Sequence, residues 1–176
     1  FAGGDSWATA RVLAAALEKT GMPDLILTGE KATDGETGQV GPEVAALLDM
    51  PLAARVTRLD RSEGGIEFDC TLEEGVLTQR SSLPCLLTVA SGVSALPLPT
   101  LAGKKAAYKK EIKTETAESL GLGADETGLA ASPTRVAGIR TPKLSRNTEK
   151  FTANRPGELS AGLDRIIEIL RESAVI

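Results

Sequence analysis

The chain has 176 residues, 41% of them hydrophobic and 25% charged, which is enough for a packed core and argues against wholesale disorder. A net charge of -4, with only one Trp, one Tyr and three Phe, excludes nucleic acid as the main partner and leaves no platform for stacking bases. There is no histidine, so Ser-His-Asp and Cys-His catalysis, imidazole metal sites and imidazole proton shuttles are all excluded. Cys70 and Cys85 form no C-x-x-C pair; both sit in apolar strand-like runs and are expected as buried free thiols. Free thiols fit a reducing compartment, cytoplasmic or, in a eukaryote, the mitochondrial matrix. No apolar run reaches the roughly 18 residues needed to span a membrane, and no signal peptide is visible. The chain opens at Phe1 and enters a helix almost at once, so an N-terminal part is expected to be missing.

In chain order, residues 6–20 predict a helix with Asp5 or Ser6 as N-cap, presenting Trp7, Ala10, Leu13, Ala14 and Leu17 on one face. Gly21 and Pro23 end it. Residues 24–29 (DLILTG) read as a buried parallel strand, and Thr33–Pro42 as a loop. A second helix is expected over Glu43–Met50 with Pro42 near its first position, followed by a strand over Ala53–Leu59. This alternation is an α/β signature. Ile66–Cys70, Val76–Arg80 and Pro84–Val89 read as short strands of an antiparallel edge meander, the last returning to the core. Residues 91–155 carry weak apolar periodicity, recurrent Pro and Gly, and lysines at 104, 105, 109, 110 and 113; they read as an arm lying on another subunit. Leu159, Leu163, Ile166, Ile167 and Leu170 then make the apolar stripe of a final helix after Pro156. The expected organisation is an α/β domain over 1–90, an arm over 91–155 and a docking helix over 156–176.

The segment TDGETGQVGP joins a strand to a helix. Gly35, Gly38 and Gly41 permit close backbone approach, and the helix that follows offers free N–H groups. Thr37 and Gln39 can add neutral donors to phosphate oxygens. It is neither a Walker motif nor G-x-G-x-x-G, and the residues alone leave two readings open: an anion cradle or a plain strand-to-helix turn. Asp34 and Glu36 would repel a bare phosphate, so one of them is expected to turn outward or meet a ribose hydroxyl. A carboxylate pair for acid–base work is disfavoured, because an open glycine loop does little to raise a carboxyl pKa. Trp7 reads as a core or interface residue rather than a stacking platform.

FAGGDSWATARVLAAAL, DLILTGEKATDGETGQVGPEVAALL, SLPCLLTV, LPTLAGKKAAYKKEI, SPTRV and the final apolar helix occur in the order that resembles the β subunit of electron transfer flavoprotein, the FixA-like family. The D-G-x-T-G-Q-V-G-P loop carries most of this likeness, which covers nearly the whole chain. The resemblance implies a Rossmann-like adenine-nucleotide-binding domain with a parallel sheet, an edge β-meander and a long C-terminal arm ending in a helix. It implies a heterodimer with an α subunit, an FAD shared with or held by that subunit, and AMP or a second, bifurcating FAD in the β pocket. Asp34, Gly35, Glu36, Thr37, Gly38, Gln39 and Val40 are the implied phosphate contacts, with Asp5, Ser6 and Thr9 on the other side of the pocket.

The resemblance implies a subunit that relays electrons from an acyl-CoA or other dehydrogenase to a downstream acceptor, a non-catalytic or partly catalytic carrier rather than a stand-alone enzyme, with NADH-dependent bifurcation alongside the α subunit as the catalytic alternative and no catalytic residue or metal of its own. The stretch Pro97–Lys110 resembles the family's partner-recognition loop, with Leu101 as the apolar anchor and Lys104 and Lys105 beside it. Here Pro97 and Leu98 replace the Arg and Tyr of the usual N-x-P-R-Y-P-[ST]-L pattern. The competing reading is a nucleotide-binding regulatory α/β module without a redox role, which would be colourless where the flavoprotein is yellow.

Overall fold

The computed structural model describes residues 2–141, 148–152 and 154–172. Its centre is β5 (Cys85–Val89), whose first four residues, Cys85, Leu86, Leu87 and Thr88, are all buried. Continuous burial of this kind belongs to a strand covered on both faces. β5 pairs in parallel with β1 (Leu25–Gly29) on one side and with β2 (Leu52–Ser62) on the other, Leu25 lying opposite Cys85 and Leu52 opposite Leu86. β2, β3 (Gly65–Leu72) and β4 (Gly75–Ser82) form an antiparallel meander, giving the order β1-β5-β2-β3-β4. The expected edge meander and the return of the third short run to the core are both realised. In β3 the period-two alternation is plain: Ile66, Phe68 and Cys70 are buried, with Glu67 and Asp69 between them half-buried. The free thiols Cys70 and Cys85 are buried in one core with Val56, Ile66, Phe68 and Leu87, and that burial raises both thiol pKa values.

The opposite face of the sheet carries two helices. α1 (Ser6–Thr20) is capped by Asp5, whose Oδ1 accepts from Ala8 N–H at 3.0 Å. Ala10 packs with Ile26, Val44, Ala45, Met50 and Leu86. Alanines at the buried positions 8, 10 and 14 let α1 lie close, and Leu17 packs half-buried against the same core. Trp7 and Leu13, expected on the inner face, are 37% and 42% exposed. α2 (Val40–Leu47) begins three residues before the expected start, so Pro42 sits inside its first turn, where a missing N–H costs no helical bond.

Residues 94–113 are exposed throughout, including α3 (Leu101–Ala107), which Thr100 caps by accepting from Gly103 N–H at 3.0 Å. The chain then runs back along α1 through two 3-10 turns, Glu118–Leu120 and Ala124–Glu126, and α4 (Gly128–Ala131). Lys19–Glu115 and Arg11–Glu126 ion pairs, each 2.5 Å, fasten this return. It brings residues up to 136 into one unit, Phe1–Val136; Ala137–Ile176 form a second. Within the second unit, α5 (Glu158–Glu172) packs Gly162 on Phe151, and Arg165 pairs with Glu149 at 3.0 Å and Glu168 at 2.7 Å. Leu159, Leu163, Ile166 and Ile167 stay exposed.

The seat of α2 on the sheet is set by Gly41. A Cβ there would stand 2.5 Å from Thr28 Oγ1 and 2.7 Å from Thr88 Cγ2. Overpacking of this kind costs about 1–3 kcal/mol, against roughly 1 kcal/mol gained when Ala replaces a helical Gly. Gly41→Ala is therefore expected to lower the urea midpoint; an unchanged or raised midpoint would show that α2 can shift freely.

Candidate functional site

In an open α/β sheet, ligands meet the crevice at the carboxyl ends of the parallel strands. Here those ends carry the loop leaving β1, the start of α2, the end of β5 and a bulge in β2. The loop is wound tightly and almost wholly exposed. Glu36 N–H donates to Ala32 O at 2.9 Å, Gly35 N–H donates to Asp34 Oδ1 at 2.9 Å, and Glu36 pairs with Lys31 at 3.3 Å. Glu36 (φ 53°) and Gly38 (φ 65°) take the left-handed region, which turns the chain into α2. Gln39 stands at the N-cap with helical dihedrals and no side chain capping the end. The first-turn N–H groups of α2 and the positive end of its dipole are thus presented without an internal side-chain cap. Thr37 and Gln39 are exposed beside them, and Val40 is half-buried against the core.

Of the three residues expected from α1, only Ser6 reaches this place. Its Oγ lies 3.2 Å from Gln39 Oε1 and 3.1 Å from Glu43 Oε1, so its single proton is shared between the two. Asp5 points to other work. Oδ1 caps α1, and Oδ2 accepts from Thr134 N–H at 2.9 Å and Thr134 Oγ1–H at 2.7 Å. Thr9 lines a shallow apolar hollow with Ala8, Val12, Leu13 and Gly128. Leu101, Lys104 and Lys105 share α3, all exposed, and no described hydrogen bond or ion pair joins α3 to the loop.

Several residues at the site were not legible beforehand. Glu43 carries a buried Oε2 with no hydrogen-bond partner. Arg55 sits in β2 at φ 59°, where the register to β5 slips between Ala53 and Val56; its N–H donates to Thr88 Oγ1 at 3.0 Å and its side chain pairs with Glu30 at 3.4 Å. A strand bulge leaves no periodic signature, and Glu43 reads locally as an ordinary helix residue. The donor set fits a nucleotide. Uncapped N–H groups and a hydroxyl suit phosphate oxygens, while an orphaned carboxylate oxygen one turn away calls for a donor such as a sugar hydroxyl. Among the described residues no cluster of acidic or sulfur ligands could hold a metal ion, and no helix is long and apolar enough to cross a membrane.

A model of the electron transfer flavoprotein domain matches residues 1–120. The electron transfer flavoprotein subunit beta of Thermoanaerobacterium thermosaccharolyticum is 35% identical over 177 residues, covering 100% of this chain and 66% of that protein. The caffeyl-CoA reductase-Etf complex subunit CarD of Acetobacterium woodii is 32% identical, again over 100% of this chain and 66% of its own length. Protein FixA of Azotobacter vinelandii is 37% identical over 81% of this chain and 53% of its own. The chain thus spans less than two-thirds of these relatives, and it belongs to the electron transfer flavoprotein domain family.

The Asp5 carboxyl is held below its usual value first by the Ala8 N–H and then by the Thr134 hydroxyl. A carboxyl whose folded pKa is depressed contributes stability that is whole above its unfolded value, near 3.8, and is lost as pH falls through the lower folded value. Asp5→Asn is expected to lower the melting temperature near neutral pH and to flatten its acid decline below about pH 4. Parallel melting curves for the two proteins in acid would contradict this role.

Proposed function

We propose that this chain is the nucleotide-binding part of the β-type subunit of a heterodimeric electron transfer flavoprotein. The observation that carries the reading is the uncapped start of α2 at the carboxyl ends of the parallel strands, with Thr37 and Gln39 exposed on it and Ser6 beside it. In this reading the backbone from Asp34 to Val40 and the Thr37 hydroxyl hold the phosphate of AMP, or of a second FAD, and Glu43 faces its sugar. Gly35 and Gly38 keep the backbone close to the ligand, and Glu36 stays outward on Lys31. Asp5 and Thr9 act behind Ser6, from the α1 side.

FAD, bound together with an α-type partner, supplies the redox chemistry. This chain's own residues bind and orient, exclude water and dock partners, which makes the chain a carrier and not a stand-alone enzyme. The names of the relatives support electron transfer as the process. Leu101, 72% exposed at the start of α3, with Lys104 and Lys105 one turn on, is the proposed contact for an acyl-CoA or other dehydrogenase or a comparable redox partner.

Nucleotide released from the full-length heterodimer tests the reading: one FAD with one AMP marks the ordinary carrier, two FAD the bifurcating one, and a colourless, flavin-free dimer would overturn it. Thr37→Val keeps the shape and removes the donor. A hydrogen bond to a charged group contributes roughly 1.5–3 kcal/mol, so affinity is expected to fall about tenfold to a hundredfold; full occupancy would remove Thr37 from the site. Leu101→Ala is expected to slow electron transfer with the partner at sub-saturating concentration while leaving the flavin spectrum untouched, since burial of a Leu contributes about 1.5–3 kcal/mol. Equal rates would place docking elsewhere.

A further inference from the structure

The S-P-T run at Ser132–Thr134 lies 127 to 129 positions from Asp5, yet it holds that residue from two sides. Asp5 N–H donates to Ser132 Oγ at 2.9 Å, and Ser132 Oγ–H donates to Gly128 O at 2.9 Å. Thr134 N–H and Oγ1–H both donate to Asp5 Oδ2. Capping α1 needs only one side-chain oxygen, and Oδ1 already supplies it to Ala8 N–H. The backbone N–H of Asp5 and its second carboxylate oxygen are therefore free for another task, and both are committed to 132–134.

The returning chain is itself fastened to α1 by Arg11–Glu126 and Lys19–Glu115, so it is an anchored strap and does not simply follow Asp5. Helix first turns fray, because their N–H groups lack intrahelical partners. What this particular turn carries is Ser6, whose hydroxyl hydrogen-bonds to Gln39 and Glu43 at the start of α2.

We propose that Ser132 and Thr134 are positioning residues of the nucleotide cradle, holding the first turn of α1, and with it Ser6, against the start of α2; this rests on the nucleotide reading given above. A cradle that is properly assembled only part of the time binds with an affinity reduced by that fraction. Loosening the clasp therefore weakens binding without removing any group that touches the ligand.

The test uses the full-length chain co-purified with its α-type partner and stripped of nucleotide, with AMP and, in parallel, FAD titrated by calorimetry. Thr134→Val removes the hydroxyl and keeps the shape; affinity is expected to fall about three- to tenfold. Thr134→Ser keeps the hydroxyl and should bind as the wild type does. Without ligand, Thr134→Val should also speed amide exchange at Ala8 and Thr9. Wild-type affinity in Thr134→Val, with or without a lowered melting temperature, overturns the positioning role, as does an equal loss in the Ser and Val variants. A wild-type protein that binds neither nucleotide would instead sink the nucleotide reading, and this inference with it.

Discussion

The approach of α2 to the sheet at Gly41 is the constraint on which the rest of the site depends. With hydrogen in place of a side chain, the helix settles directly on Thr28 and Thr88. That seat fixes where the first-turn N–H groups emerge, relative to the ends of β1 and β5. It also ties the helix to the β2 bulge, because Thr88 turns its methyl toward Gly41 and accepts the Arg55 N–H on its hydroxyl. One buried threonine thus links helix, central strand and bulge, and a change at any of the three is felt at the others.

Small residues repeat the same solution in α1. Its buried positions are alanines, so the helix can lie low on Ile26, Val44 and Leu86 and bring Ser6 within hydrogen-bond reach of α2. Close packing by small side chains leaves Trp7 and Leu13 turned outward, while Leu17 stays against the core. On the other face of the sheet the antiparallel strands share a second core with β5, in which Phe68 and Val56 meet Cys85 and Leu87. Their solvent side is laced by Arg58 with Glu67 and Asp69, and by Arg80 with Glu67. Those ion pairs join solvent-facing arginines to half-buried carboxylates and add little stability each. Their more evident effect is to hold the register of a meander whose outer strand is exposed along nearly its whole length.

The elements that sequence reveals well are those with a local signature. The apolar run at Leu25–Leu27, the continuous run at Cys85–Val89, the alternation in Ile66–Cys70 and the glycine-spaced loop before α2 all carry their period or their turn chemistry in a few residues. The contacts that escaped are non-local. A helical wheel ranks Trp7 with Ala10, but it does not show how near the neighbouring helix comes. Nothing around Asp5 announces a partner at Thr134, and an α1 N-terminus next to a glycine loop invites the reading of a ligand contact. Pro42 suggests a later start for α2 than the one the chain adopts, because the left-handed Gly38 turns it into the helix three residues ahead of Glu43. Within the 91–155 stretch expected as an arm, residues 115–134 lack apolar periodicity because ion pairs and hydrogen bonds, more than buried side chains, hold them to α1.

In the reading proposed here, nucleotide binds where the α2 start, the loop leaving β1 and Ser6 converge. Photolabelling the full-length heterodimer with an azido-adenine nucleotide, then mapping the modified peptides by mass spectrometry, tests that claim directly. Label is expected within residues 5–9 and 30–43, suppressed by excess AMP or FAD. Protectable label confined to the β3–β4 hairpin or to α3, with none at the start of α2, would contradict it.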